Sequence, residues 1–121
     1  MTEREGSKQY DLEDRTLEFA RKVREFVPML NRTPANIEDG KQLVRSSGSV
    51  GANYIEANEA LSKKDFLMRI KICRKEAKES RYWLRLVDTQ GDAQCEQLRK
   101  ALVQEATELT HIFGAIVTKS Q

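Results

Sequence analysis

The amino-acid sequence predicts an all-α fold, an antiparallel up-down-up-down four-helix bundle. Apolar residues recur at intervals of three and four along most of the chain, which is the period of a helix with one buried face. Charged residues make up 33% and aromatic residues 7% of the 121 residues, and proline occurs only twice. Short connections between long amphipathic segments favour antiparallel neighbours, so the pattern indicates one bundle domain.

The first helix follows a polar and charged segment, residues 1–10, which we expect to be a flexible N-terminal tail. The bundle domain then covers residues 11–121. The pattern predicts a helix from Asp11 to about Leu30 and a loop at residues 31–36, which contains a proline. The buried face of this helix consists of Thr16, Phe19, Val23, Phe26 and Leu30.

The second helix is predicted from about Ile37 to Ala60. It contains Gly48 and Gly51, and each glycine costs about 1 kcal/mol of helix propensity relative to alanine. Packing must offset that cost, so we expect a neighbouring helix to approach closely here. The apolar face consists of Leu43, Ser47, Val50, Tyr54, Ala57 and Leu61.

The third helix begins at a variant capping box, in which Ser62 is the N-cap and Asp65 stands three residues later. Its core face consists of Phe66, Ile70, Cys73, Ala77, Ser80, Leu84 and Val87. Gly91 suits a helix C-terminus and Asp92 the next N-cap. The core face of the fourth helix consists of Cys95, Leu98, Leu102, Ala106, Leu109, Phe113 and Ile116.

A row of cations follows one side of the third helix, although the net charge of the whole chain is only +2. These residues form the basic stripe, which consists of Lys71, Arg74, Lys78, Arg81 and Arg85. Their spacing of three and four residues stacks them on one face. Lys64 and Lys75 flank the stripe, and Tyr82 is placed to stack on a base. Concentrated positive charge predicts a polyanion or an acidic protein as the partner.

Polar residues form a second row, on the second helix: Ser46, Ser49, Asn53 and Glu56. One interpretation is a buried hydrogen-bonded network between helices, completed by Arg45 and by Glu79 or Arg69 of the third helix. In that case Asn53 and Glu56 are largely buried. The alternative is an ordinary solvated helix face.

The third helix also has an apolar flank, which lies apart from its core face and consists of Met68, Ile72, Trp83 and Leu86. A surface helix in a small bundle needs one apolar stripe. A second one predicts self-association, with these residues in the interface. The alternative is that Met68 and Trp83 widen the core face.

The sequence indicates a non-catalytic protein without a metal or another cofactor. Glu108 and His111 have the Glu-x-x-His spacing of di-iron bundles, but those sites need a second such motif and His111 is the only histidine. The Arg-x(4–6)-His motif of helical ribonucleases is absent, and no lysine follows Gly48 to Gly51 as a phosphate-binding loop requires. Cys73 and Cys95 are isolated and are predicted to be buried thiols.

The predicted location is the cytoplasm. No apolar run approaches the roughly 20 residues that a membrane span needs. The N-terminal ten residues lack the apolar segment of a signal peptide. We therefore expect no membrane association.

The segment from Gln42 to Ala57 resembles the signature of the four-helix-bundle proteins encoded in intervening sequences of 23S ribosomal RNA genes. That signature reads approximately Q-L-x-R-[SA]-x-x-S-[IV]-x-x-N-I-x-E-[GA], with tyrosine here in place of its second isoleucine. The polar positions of the signature fall on Gln42, Arg45, Ser49, Asn53 and Glu56. Asp65-Phe66 is similar to the start of the family's third helix, and Glu79 matches a glutamate of that helix. Cys73, Lys75 and Glu76 replace its usual alanine, glycine and serine.

The segment from Arg81 to Arg85 is similar to part of the accessory protein of diversity-generating retroelements, a related bundle. These resemblances imply a four-helix bundle that assembles as a homopentamer. They also imply a basic surface that binds nucleic acid, and no catalysis. From the residues themselves, the leading hypothesis is an oligomer that binds RNA or DNA through the basic stripe. The alternative is a protein-interaction scaffold whose basic stripe docks an acidic protein partner.

Overall fold

The computed structural model describes the backbone of residues 2–121 and the side chains from Leu12 onward. Its four long helices confirm the predicted all-α bundle: α1 spans Thr2–Phe26, α2 Pro34–Asn58, α3 Lys63–Leu86 and α4 Ala93–Ser120. The predicted flexible tail comprises residues 1–10. The side chains of these residues are outside the described part of the chain, so the tail stays a prediction. Within the described residues, no helix combines the length and the apolar character that a bilayer crossing requires.

Two of the predicted helix caps are present. The Ser62 hydroxyl accepts a hydrogen bond from the Asp65 N–H at 3.1 Å and begins α3. The Asp92 carboxylate accepts one from the Cys95 N–H at 2.8 Å and begins α4. Each cap satisfies a backbone donor that has no partner within its own helix. Gly91, with φ of +75°, forms the turn just before α4.

The connection between the first two helices differs from the prediction. The α-helix ends at Phe26, and Val27–Met29 form a turn of 3₁₀-helix. Pro28 explains this change, since proline has no N–H to donate and its ring clashes with the preceding turn. In addition, α2 begins at Pro34 rather than near Ile37. Thr33 is its N-cap and accepts from the Asn36 N–H at 3.1 Å, with proline in the first turn, where its missing N–H costs nothing.

Consecutive helices pack as neighbours, and α4 returns to contact α1. Asn36, near the start of α2, holds the connection after α3: its side chain donates to the Asp88 carbonyl at 2.9 Å and accepts from the Asp88 N–H at 3.0 Å. The start of α2 and the end of α3 therefore meet at one end of the bundle, as antiparallel neighbours do. This arrangement gives α3 a position between α2 and α4, with its remaining surface exposed.

The core lies along the bundle axis and follows the predicted faces closely. One residue is an exception: Leu61 lies in the connection after α2 and is 97% exposed, because the helix ends before the apolar repeat reaches it. The largest fully buried core side chains are Phe19, Phe26, Phe113, Leu43, Ile70, Leu84, Leu102 and Leu109. Burying each such side chain contributes about 1.5–3 kcal/mol to folding, so the core rather than helix propensity holds α3 in place.

Candidate nucleic-acid interface

The basic stripe lies along the exposed side of α3, except at Arg74, which lies against α4. Lys71, Lys78, Arg81 and Arg85 are exposed, and Arg74 is half-buried. Arg74 passes α4 at Gly114, where a Cβ in place of the glycine hydrogen would lie 3.8 Å from its Cδ. From Lys71 to Arg85 the stripe extends about 21 Å, at 1.5 Å per residue.

None of the five cations forms an ion pair with a carboxylate of residues 12–121. Several acidic residues stand on α3 and α4, and most of them are held on other sides of these helices. The stripe is therefore a concentration of charge that the bundle itself does not neutralise, as a site for a polyanion requires.

The acids of α3 are drawn toward α2. Arg45 of α2 donates to the Glu79 carboxylate at 2.8 Å, and its second terminal nitrogen lies 3.5 Å from the Glu76 carboxylate. Glu76 is buried, and one of its carboxylate oxygens receives no hydrogen bond from the described residues. A single guanidinium thus holds two carboxylates on the side of α3 away from the basic stripe.

The acids in the middle of α4 are drawn toward α1 in the same way. Arg15 of α1 lies 2.7 Å from the Glu105 carboxylate and 2.7 Å from that of Glu108. These bonds raise the pKa of the Arg15 guanidinium further above its usual range. Hydrogen bonds from Gln104 and from Arg15 lower the pKa of Glu108 below its usual value.

Glu96 lies near the end of α3, but its carboxylate is already hydrogen-bonded to other groups. It accepts a hydrogen bond from the Thr89 hydroxyl at 2.5 Å and one from Arg99, and these bonds lower its pKa. Arg99 also donates to the Val87 carbonyl at 2.7 Å and so caps the C-terminal end of α3. This cluster stabilises the end of the helix and leaves the cations of the stripe unpaired.

The predicted flanking residues lie beside the stripe. Lys64 and Lys75 are both exposed. Tyr82 is 57% exposed, and its ring meets the Trp83 ring with centroids 5.0 Å apart and planes at 78°. Of the eight residues predicted for nucleic-acid binding, seven are therefore exposed on α3 and Arg74 is half-buried.

The polar row of α2 is divided into separate contacts. Ser46 is fully buried, and its hydroxyl lies 2.8 Å from that of Ser80. Asn53 donates to the Ser49 carbonyl at 2.9 Å and to the Ser49 hydroxyl at 3.0 Å, and accepts from Arg69 at 2.9 Å.

The prediction that Glu56 is buried is wrong. Its side chain is exposed and makes no hydrogen bond to the described residues. At 3.6 residues per turn it lies about 120° around α2 from the buried Val50, and so on the solvent side of that helix. Asn53 is hydrogen-bonded as expected but only half-buried.

The apolar flank is divided between surface and core. Met68 is 48% exposed and Leu86 49% exposed, so both remain available for a partner. Ile72 and Trp83 are half-buried, and Trp83 packs against the core. The Trp83 indole also donates to the Glu79 carboxylate at 3.4 Å. Trp83 therefore widens the core face, as the alternative interpretation held, whereas Met68 stays on the surface.

Sequence reasoning missed Arg15 and Glu76. Arg15 and Glu105 are 90 residues apart, and no local pattern relates them. Glu76 stood out only as a departure from the family signature, whereas the structure makes it a partner of Arg45. The signal available in the sequence was that no acidic residue lies one helical turn from Arg45 on α2, so that its partner had to come from another helix. This signal is weak.

Fold and surface together define a class of protein, a four-helix bundle with a row of unneutralised cations on one helix. The comparisons with known proteins then identify the family. Residues 8–115 match the family model described as 23S rRNA-intervening sequence protein. The chain therefore belongs to the 23S rRNA-intervening sequence protein family.

A solved structure supports the same assignment. It is a protein of unknown function from the S23 ribosomal protein family of Bacteroides thetaiotaomicron VPI-5482. The two chains share 30% sequence identity, the match covers 87% of this chain and 96% of that one, and the TM-score is 0.75. None of the curated protein sequences matches this chain.

Proposed function

We propose that the chain is a non-catalytic, oligomeric protein that binds RNA or DNA through the basic stripe. The observation that carries this proposal is the segregation of charge. Arg45 and Arg15 hold the nearby glutamates on other sides of the bundle, and five cations of α3 remain without an acidic partner among residues 12–121.

The stripe suits phosphates better than bases. Long cationic side chains on one straight helix contact the backbone of a nucleic acid and position it without reading its sequence. We therefore expect affinity that depends weakly on sequence and steeply on salt, because binding releases the counterions condensed on the phosphates. In an oligomer, several copies of the stripe that engage one nucleic acid together would add avidity.

A salt series of binding measurements tests the proposal, with a structured RNA and a double-stranded DNA as probes. The double variant Lys78→Gln with Arg81→Gln removes two exposed cations of the stripe. Its affinity should fall for every sequence, and the slope of log affinity against log salt should decrease by about two units.

The matched control is Arg21→Gln with Lys22→Gln, which removes two exposed cations from α1. This variant carries the same net charge and should bind almost as wild type does. An equal loss of affinity in both double variants would show that the nucleic acid is attracted to the net charge of the protein rather than to the basic stripe. Failure of the wild-type protein to bind either probe at low salt would contradict the proposal and favour a scaffold that docks an acidic protein.

A further inference from the structure

Tyr82 is an exposed aromatic ring beside the basic stripe that the core does not require. At 3.6 residues per turn, it lies about 40° around α3 from Lys78 and about 60° from Arg85. The ring is 57% exposed, so much of it is accessible to a ligand. Its location among cations gives it the setting of a base-stacking residue.

The position of this ring is supported by a series of contacts across α2 and α3. Tyr82 meets Trp83 at a centroid distance of 5.0 Å, and Trp83 is half-buried against the core. The Trp83 indole donates to Glu79 at 3.4 Å, and Glu79 accepts from Arg45 at 2.8 Å. A ring that is already held in place loses less conformational entropy when a ligand binds.

We propose that the basic stripe binds single-stranded RNA or DNA in preference to a duplex, with Tyr82 stacked on one base. This inference rests on the function proposed above. The cations can contact phosphates in either form of nucleic acid. In a duplex, however, each base is already paired and stacked on its neighbours, whereas a single strand can turn a base face toward an aromatic ring.

The length of the stripe sets the size of the probe. Its span of about 21 Å corresponds to about six phosphates of a strand stacked as in a duplex, at about 3.4 Å each, and to fewer in an extended single strand. A strand of about 12 nucleotides covers this span with a margin and lies within the range that single-strand modules occupy.

The experiment compares three probes of equal length by fluorescence anisotropy: oligouridine, the same backbone without bases, and a duplex. Tyr82→Ala should weaken binding of oligouridine at least fivefold, since stacking on one base contributes that much or more. It should leave binding of the abasic strand and of the duplex unchanged. Tyr82→Phe keeps the ring and should bind oligouridine as wild type does.

Trp83 gives a second measurement, because it is the only tryptophan in the chain and adjoins Tyr82. Oligouridine should change its fluorescence, and the duplex should not. If the wild-type protein binds and Tyr82→Ala changes nothing, this inference fails and phosphate binding stands. Equal losses on all three probes, or a loss in Tyr82→Phe, would also overturn stacking. Absence of binding to every probe would instead overturn the proposed function.

Discussion

Thr16 of α1 lies directly against Gly51 of α2, where the two helices pack closely. A Cβ built on Gly51 would stand 2.7 Å from the Thr16 hydroxyl oxygen and 3.2 Å from its Cβ. Thr16 is buried, and its hydroxyl donates to the Leu12 carbonyl at 2.7 Å. The threonine is therefore fixed, and glycine alone leaves it room. This contact is the close approach that the glycines of the second helix predicted.

Gly51→Ala should destabilise the protein, although alanine is the better helix former. Relieving the overlap requires α1 and α2 to separate, which costs about 1–3 kcal/mol and exceeds the roughly 1 kcal/mol gained in helix propensity. Thermal unfolding should show a lower Tm. Gly114→Ala is the control, because its new Cβ would meet only the Arg74 side chain at 3.8 Å. A Tm in Gly51→Ala equal to or above that of Gly114→Ala would contradict this packing.

Asn53→Ala should lower stability by about 1 kcal/mol, since it removes hydrogen bonds to Ser49 and leaves Arg69 without its acceptor. Glu56→Ala, three residues along the same helix, removes an exposed carboxylate and should change stability by no more than about 0.5 kcal/mol. Urea unfolding followed by circular dichroism compares the two variants. Equal effects would show that Asn53 is no better anchored than its solvated neighbour.

Met68→Glu should weaken self-association while the helices remain folded. Met68 is 48% exposed on the apolar flank, and a charge buried in an interface without a partner is costly. Leu17→Glu is a close control, because Leu17 is also 48% exposed but lies on α1. Sedimentation velocity should report several subunits for the wild type and for Leu17→Glu, and fewer for Met68→Glu. A wild-type monomer of 13.9 kDa would contradict the oligomer outright.

Both cysteines should be unreactive in the native protein and reactive after denaturation. Each thiol is buried, and burial raises the pKa of Cys73 from 9.0 to about 12 and also raises that of Cys95. Since the thiolate is the reactive form, a disulfide reagent should label the folded chain slowly at pH 8. Cys95 lies in the first turn of α4 and should react before Cys73, because helix ends open more readily. Single cysteine-to-alanine variants assign the two rates, and fast labelling of Cys73 would show that it is not buried.

The raised pKa of Cys73 also makes stability depend on pH. Below about pH 9 both folded and unfolded states carry the protonated thiol, so this group leaves the free energy of unfolding constant. Between 9 and about 12 the unfolded state alone releases the proton, and stability falls. Cys73→Ala should reduce the slope of stability against pH in that window. An unchanged slope would assign the alkaline loss to other groups.

The sequence by itself determined the elements that depend on local chemistry. The period of apolar residues placed the helices, and Ser62 and Asp92 marked two helix starts, because a cap acts within three residues of itself. Pro28 and Thr33-Pro34 carried equally local signals, and these specify the 3₁₀ turn and the start of α2. The basic stripe was also visible, since its residues share one helix.

Tertiary structure decided which charges are neutralised and which are left exposed. Arg15 reaches glutamates 90 and 93 residues away, and Arg45 reaches one 34 residues away, so the pairing exists only after the helices have packed. The same packing buried Ser46 against Ser80 and left Glu56, on the same predicted row, in water. The helical repeat gives the angle of each side chain around the axis of the helix that carries it. Where the neighbouring helix ends, and which side chain reaches across to it, depends on the fold as a whole.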